Sequence, residues 1–298
     1  MSIDLLDPTS DIVFKLLLIR NQHLLRDMIE AVLAPRVLAG DLLVTNPEIP
    51  KEFPVDKSIF LDIRAQFRDG EEVDLEMQSI TLPGARARFL YYWAKTYSEG
   101  IACGDDYTVL HPCISILWFK EPTLEGARFH SVFRLSDERD REVFCPNIEF
   151  HVLELPKLHL APSGKQAKLE QWARFLRARS VVELEELARE DAVMNVAKDA
   201  LCTLSSDAEA RRLARERERT TVAHRHTMGA CRAEGKAEGE AQGRAAALRV
   251  ALGTLCRVLG IELDEARSIQ VSNYDTDQLA ALMNHIELER RWPDQSAP

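Results

Sequence analysis

Two neighbouring segments of alternating apolar and polar residues carry the side chains best suited to chemistry. Residues 59–67 include Asp62, and residues 73–78 include Glu76 and Gln78. Alternation with a period of two is typical of strands that bury one face. Asp62, Glu76 and Gln78 fall on the polar faces of their segments, so the sequence predicts a hairpin that presents carboxylates.

The connection between the two segments decides whether the carboxylates face each other. A two-residue turn at Asp69-Gly70 would pair Asp62 with Met77 and put the polar sets on opposite faces. A three-residue loop that begins at Arg68, with glycine in the left-handed conformation, pairs Asp62 with Glu76. The alternation favours this longer loop.

Carboxylates directly opposite each other on one sheet face repel. The pairing of Asp62 with Glu76 therefore indicates a cation between them, and hard oxygen ligands suit Mg²⁺ or Mn²⁺. The alternative interpretation is two solvated acids on an exposed face, because antiparallel sheets often show one polar side to water.

A helix is predicted upstream of this hairpin. Ser10 is a candidate N-cap, and apolar residues recur at helical spacing from Ile12 until Pro35. The pattern predicts one long amphipathic helix, bent near Asn21. Asp11 in the first turn has a helix-dipole explanation worth a few tenths of a kcal/mol.

A second helix is predicted to start at Pro83-Gly84 and to end at Ile101. Arg88 lies on its polar side, where it is either part of an ordinary solvated face or able to reach a phosphate through its bidentate fork. The polar side comprises Arg88, Tyr92, Lys95 and Glu99, and the side expected to face the sheet includes Leu90, Trp93, Ala94 and Tyr97.

Three more segments read as strands, and together with the helices they indicate an α/β core with a central mixed sheet. These segments are residues 113–119, 129–133 and 150–155. From about Ser163 the strand pattern ends, and short amphipathic helices and a charged run from Glu209 to Arg225 follow. The predicted division is a core at 1–160, a helical charged region at 161–228, an Ala/Gly repeat at 229–247 and a small helical unit at 248–298.

The Ala/Gly repeat runs through Ala233-Glu234-Gly235-Lys236 and two further four-residue units. Four residues slightly exceed one helical turn, so Ala and Gly would form a smooth stripe that another helix can approach closely. The alternative is a flexible charged linker, because each interior Gly costs about 1 kcal/mol relative to Ala. We favour a helix stabilised by a partner, and expect self-association through this tail.

Length, charge and cysteine usage narrow the class of protein. The 298 residues can form one domain with a long extension, and no apolar run of membrane-spanning length or basic leader is found, so a cytoplasmic protein is expected. The six cysteines form no C-x-x-C pair, which argues against a zinc site. A net charge of −10 is unfavourable for binding DNA, whose affinity for proteins comes mainly from Lys and Arg.

The sequence resembles the PD-(D/E)xK nuclease superfamily and, within it, the family of recombination-promoting nucleases (Rpn) and transposases. The resemblance covers roughly the first half of the chain, and the family also carries tails of this kind. The matching segments are Asp7–Lys15, Leu61–Ile63, Leu75–Gln78, Arg88–Tyr97, Gly104–Tyr107 and Pro112–Leu117.

This resemblance implies a restriction-endonuclease-like core and an Mg²⁺-dependent DNA endonuclease. Asp62 and Glu76 match the two metal-binding acids, while Gln78 stands where the superfamily usually has Lys. A neutral amide cannot act as a base, so Gln78 would orient water. The resemblance also places Asp11 at the border of the metal site with Lys15 nearby. The other functions considered are a DNA- or protein-binding scaffold without catalysis, and an oligomerisation protein.

Overall fold

The computed structural model describes residues 4–38, 40–46, 63–68, 70–79, 84–160 and 167–293. The described residues form six strands, which are β1 (Leu42–Val44), β2 (Ile63–Phe67), β3 (Glu72–Gln78), β4 (Cys113–Phe119), β5 (His130–Ser136) and β6 (Val143–Glu154). They make one sheet in the order β1-β2-β3-β4-β6-β5. The pairs β3–β4 and β4–β6 are parallel and the others antiparallel, so the sheet is mixed, as predicted.

Helices flank this sheet and make up the C-terminal part of the chain. They are α1 (Asp11–Arg20), α2 (Gln22–Leu33), α3 (Ala85–Glu99), α4 (Ala167–Arg177), α5 (Val181–Glu190), α6 (Ala192–Ser206), α7 (Ala208–Leu259), α8 (Glu265–Asn273) and α9 (Thr276–Glu289), with short 3₁₀ helices at Tyr107–Val109 and Leu155–Leu160. The predicted α/β core with a helical extension is confirmed. No helix in the described ranges is both long and apolar enough to cross a membrane.

The hairpin of β2 and β3 has the register that the alternation predicted. Ile63 lies opposite Leu75, and the Phe67 N–H donates to the Glu71 carbonyl at 2.9 Å. The loop therefore spans three positions, 68–70, and its last residue, Gly70, has a φ of +87°. Glycine adopts this left-handed conformation without the steric penalty that a Cβ imposes.

The predicted N-terminal helix consists of two helices, so the expectation of one bent helix was wrong. The break is at Asn21, whose side-chain amide donates to the Leu17 carbonyl at 2.8 Å. This bond offers the backbone an alternative to the helical pattern, and the Asn21 dihedrals (φ −134°, ψ 71°) leave the helical region. Ser10 occupies the N-cap position, but its side chain makes no capping hydrogen bond.

Apolar layers form on both faces of the sheet. The larger core includes α1, α2, α4 and α6 together with the sheet residues Val73, Leu75 and Met77. The smaller one lies between α3 and the other face and consists of Ala85, Phe89, Leu117, Phe119 and Val152. Because side chains alternate along a strand, Glu76 and Gln78 lie on the face that α3 covers.

The side of α3 that faces the sheet differs from the predicted one. Leu90 and Ala94 are exposed, whereas Phe89 and Thr96 are buried. Trp93 does face the sheet, because its indole N–H donates to the Cys113 carbonyl at 2.7 Å. Polar anchoring of the indole and burial of Phe89 thus decide the rotation of the helix, and they bring Arg88 towards the sheet.

The chain divides into two compact units, residues 1–221 and 222–298. The core of the second unit combines the end of α7 with α8 and α9, and includes Leu252, Cys256, Leu279 and Ile286. The Ala/Gly repeat is helical, and residues 225–244 are exposed. A partner for this stretch stays a prediction, as does the four-part division of the chain.

Candidate active site

Glu76 and Gln78 form the centre of the site on β3. Both side chains are only 6% exposed, although they belong to the polar face of the strand. The Gln78 side-chain N–H donates to Glu76 Oε1 in a short hydrogen bond. Burying a carboxylate costs free energy unless hydrogen bonds replace those lost to water. The hydrogen bond from Gln78 therefore stabilises the buried Glu76 carboxylate.

Arg88 extends this pair from α3. Its guanidinium donates to Gln78 Oε1 at 3.2 Å, so Gln78 accepts from Arg88 while it donates to Glu76. Burial lowers the pKa of Arg88, and the charges of Glu76 and Tyr92 oppose this decrease. The guanidinium stays cationic, since even a lowered arginine pKa lies far above neutrality. The sequence placed Arg88 on the outer side of the helix, whereas the structure brings it to Gln78.

Asp62 lies outside the described residues, so its pairing with Glu76 stays a prediction. The register of the adjacent residues of the hairpin supports this pairing. Ile63 lies opposite Leu75, and in an antiparallel ladder the next position of one strand opposes the previous position of the other. The register measured in the described part of the hairpin is therefore the one required for that pairing.

Asp11 is buried at the start of α1 and is bound by an arginine nearly as buried as itself. Its Oδ1 accepts the Ile12 N–H at 2.8 Å, and its Oδ2 accepts from both Nε and a terminal nitrogen of Arg217. The two side chains are 8% and 11% exposed. The structure therefore assigns the Asp11 carboxylate an ion-pair partner in α7, which neither a helix-dipole role nor a metal-border role had anticipated.

Lys15 lies one turn after Asp11 in α1 and is 4% exposed. Helix α1 packs against β3, the strand that carries Glu76 and Gln78. The core that includes α1 contains Leu75 and Met77 of β3, whereas Glu76 and Gln78 lie on the opposite face of that strand. The supporting role of Lys15 therefore stays a prediction.

The donor set suits a hard divalent cation. Glu76 and Gln78 offer side-chain oxygens on one face of β3, and oxygen ligands are those that Mg²⁺ prefers. Among the described residues, no group of three His, Cys, Asp or Glu side chains is close enough to hold a metal ion. A complete site thus requires a ligand beyond them, and Asp62 is the predicted one. Burial, together with Asp74 and Glu72, raises the pKa of the Cys113 thiol to about 12, so Cys113 is unsuited to act as a thiolate nucleophile.

Comparison with known proteins assigns the family. A family model described as PD-(D/E)XK nuclease family transposase matches residues 8–228. The chain belongs to this family. The match includes α1, the β2–β3 hairpin, α3 and the first turns of α7, and it confirms the resemblance seen in the sequence. No curated protein and no solved structure matches the chain.

Family membership indicates a nuclease-type function, for which DNA is the expected substrate and a divalent metal the usual requirement. Arg217, the partner of the predicted site residue Asp11, is a residue that sequence reasoning missed. The charged run from Glu209 to Arg225 was visible, but its 3.6-residue pattern gives no partner for any single arginine. Leu213, an apolar residue within the charged run, was the available signal that one side of this run packs inward, and the structure buries it together with Thr220.

Proposed function

We propose that the protein is a metal-dependent DNA endonuclease that hydrolyses phosphodiester bonds and promotes recombination or transposon-like rearrangement. The observation that carries the proposal is the buried Glu76–Gln78 pair, bound by Arg88, on the central strand of a chain that belongs to a nuclease family. Buried charged groups lower the stability of a protein, so a carboxylate and a guanidinium buried beside this sheet indicate a functional role.

Asp62 and Glu76 would hold the metal, Mg²⁺ with Mn²⁺ as a substitute. When bound, the metal lowers the pKa of a coordinated water and stabilises charge on the phosphate. Gln78 fixes one oxygen of Glu76 through its N–H, and it would orient the water, since an amide has no basic nitrogen. Arg88 places a positive charge beside this pair, where it would bind a phosphate oxygen.

Asp11 and Lys15 have a supporting role in this proposal. Arg217 already occupies one oxygen of Asp11, and the Ile12 N–H occupies the other. Asp11 would therefore fix the start of α1 against α7, and Lys15 would add a buried positive charge from the same helix. The protein would act in the cytoplasm and self-associate through the C-terminal tail, which would supply two sites for a double-strand cut.

A second candidate function is a DNA- or protein-binding scaffold that keeps the nuclease fold without catalysis. Two observations favour it. Gln78 stands where a lysine would supply charge, and the net charge of −10 opposes DNA binding. Both candidate functions predict the same folded protein, so only metal binding and DNA cleavage distinguish them.

The test is cleavage of supercoiled and linear DNA by the purified full-length protein in Mg²⁺, Mn²⁺ or EDTA. We expect nicked and linear products with either metal and none in EDTA. Calorimetric titration with Mn²⁺ in the absence of DNA provides a second readout. Protein that binds DNA but neither cuts it with any divalent metal nor binds Mn²⁺ would support the scaffold and refute the enzyme.

A further inference from the structure

The first turns of α7 concentrate positive charge in an otherwise acidic protein. Between Ala208 and Arg225 six arginines stand against three glutamates, while the whole chain carries a net charge of −10. Two of these arginines are used internally, since Arg217 pairs with Asp11 and Arg211 pairs with Asp4. The remaining ones include three on the outward side of the helix.

Arg212, Arg215 and Arg219 form this outward group, which we call the α7 arginine stripe. Their spacing of three and four residues places them on one side of a helix, and seven residues cover about 10 Å along the axis. The three side chains line a shallow surface groove together with Ala208 and Glu216. All three are exposed, in contrast to Arg217 on the inward side.

The ordinary explanation of such a stripe is a solvated face of ion pairs along the helix. It accounts for Arg212, which pairs with Glu209 and Glu216. It does not account for Arg215 and Arg219, which make no side-chain hydrogen bond or ion pair with any residue that the structure describes. Two adjacent unpaired guanidiniums raise the local positive potential, and a mobile anion or an anionic ligand would lower the energy of that arrangement.

The stripe belongs to the same compact unit as the candidate active site. Residues 208–221 lie in the first unit, and the Arg217–Asp11 pair attaches this part of α7 to α1. Helix α1 in turn packs on β3, which carries Glu76 and Gln78. The stripe and the site therefore belong to one folded unit, as is required of a surface that positions a substrate.

We propose that the α7 arginine stripe binds the phosphodiester backbone of the DNA substrate outside the cleavage site. This inference rests on the proposed function and deepens it by naming a substrate contact. Arginine suits the task because its planar fork binds phosphate oxygens in pairs, and backbone contacts fix the register of a protein on DNA without reading sequence. The stripe also supplies the local positive charge that the acidic composition otherwise lacks.

The test measures DNA binding separately from cleavage. Fluorescence anisotropy with a labelled duplex of about 30 base pairs in EDTA gives Kd for the full-length protein over a range of salt concentrations. The variant is Arg215→Gln/Arg219→Gln. The matched control is Arg189→Gln/Arg232→Gln, which removes the same charge from two exposed arginines whose side chains likewise bond to none of the described residues. Circular dichroism confirms that both variants are folded.

We expect the stripe variant to bind two duplexes of unrelated sequence more weakly by the same factor. Its plot of log K against log salt should have a slope shallower by about 2, because each lost phosphate contact removes about 1. The control should keep the wild-type slope. In Mg²⁺, the variant should raise KM with little change in kcat, as expected when binding is lost equally from ground and transition states.

Equal slopes for wild type and the stripe variant, or the same change in the control, would overturn the proposal. Loss of binding to poly-glutamate without loss of DNA binding would also overturn it, and would assign the stripe to an acidic protein partner. Failure of the proposed function would have a different readout, because the wild-type protein would then bind DNA without cutting it.

Discussion

Arg217→Ala should destabilise the first unit strongly, because it would leave the Asp11 carboxylate buried without its partner. Both side chains are about nine-tenths buried, and Arg217 contributes two hydrogen bonds to Asp11 Oδ2. Removing one partner of a buried ion pair costs about 3–5 kcal/mol. For a unit of this size, in which each kcal/mol shifts Tm by about 2–4 °C, the loss corresponds to a fall of about 10 °C.

The matched control is Arg219→Ala, two residues further along α7. Arg219 is exposed and makes no bond with any described residue, so its replacement should change the free energy of unfolding by less than about 0.5 kcal/mol. Thermal and urea unfolding of both variants measure the difference. A double-mutant cycle with Asp11→Asn and Arg217→Met isolates the pair, because the double variant buries no unpaired charge.

Two results would refute this reasoning. Arg217→Ala could prove as stable as Arg219→Ala, in which case Asp11 does not depend on the arginine. Alternatively, the cycle could give a coupling energy near zero, in which case the loss arises from the packing of the arginine stem and not from its charge.

Three further outcomes follow from the site, the sheet and the tail. Gln78→Ala should lower the cleavage rate yet leave Mn²⁺ affinity nearly intact, and Gln78→Lys should retain or raise the rate; a large loss of Mn²⁺ affinity in a titration of Gln78→Ala would instead make Gln78 a ligand. Burial alone would raise the pKa of Glu149, but hydrogen bonds from His151 and Arg134 outweigh it and lower the pKa to about 2. The stabilisation from Glu149 is therefore present above its ordinary pKa of 4.5 and is lost as the pH falls towards 2, so the stability difference between wild type and Glu149→Gln should shrink over that window in acid unfolding. Truncation before about Arg225 should give a monomeric core that mainly nicks DNA. Light scattering that gives the same number of chains per particle for the full-length and truncated proteins would reject tail-mediated association.

The hairpin was the most predictable part of the fold, because its register depends on local information. A side-chain period of two and a left-handed glycine at position 70 fix which residues face each other. Composition placed β4, since Cys113–Phe119 is a run of strand length that is apolar except for Ser115. Strand β1 was missed because three residues, Leu42–Val44, carry too little pattern to distinguish a strand from a loop.

Helix rotation and long-range partners were beyond the sequence pattern. The break at Asn21 depends on one side-chain bond to Leu17, and periodicity alone continues through it. The sheet-facing side of α3 depends on a bond from Trp93 to a backbone carbonyl of β4, which the spacing of apolar residues does not encode.

The partner of Asp11 is 206 positions away. Identifying it requires knowing that α7 crosses the start of α1. The placement of Glu76 and Gln78 on one face of one strand was therefore predictable from local sequence, whereas the pairing of Arg217 with Asp11 is a product of tertiary packing.

The central claim is that Glu76 is required for metal-dependent DNA cleavage. The most direct measurement compares the cleavage rate of supercoiled DNA in Mg²⁺ by wild type, Glu76→Gln and Glu72→Gln. Glu72 lies four residues, or two strand repeats, earlier on the same face of β3 and is only half-buried, so its variant controls for loss of a carboxylate. We expect Glu76→Gln to lose cleavage while remaining folded and Glu72→Gln to cut at nearly the wild-type rate. A folded Glu76→Gln protein that cuts DNA as fast as wild type would contradict the account.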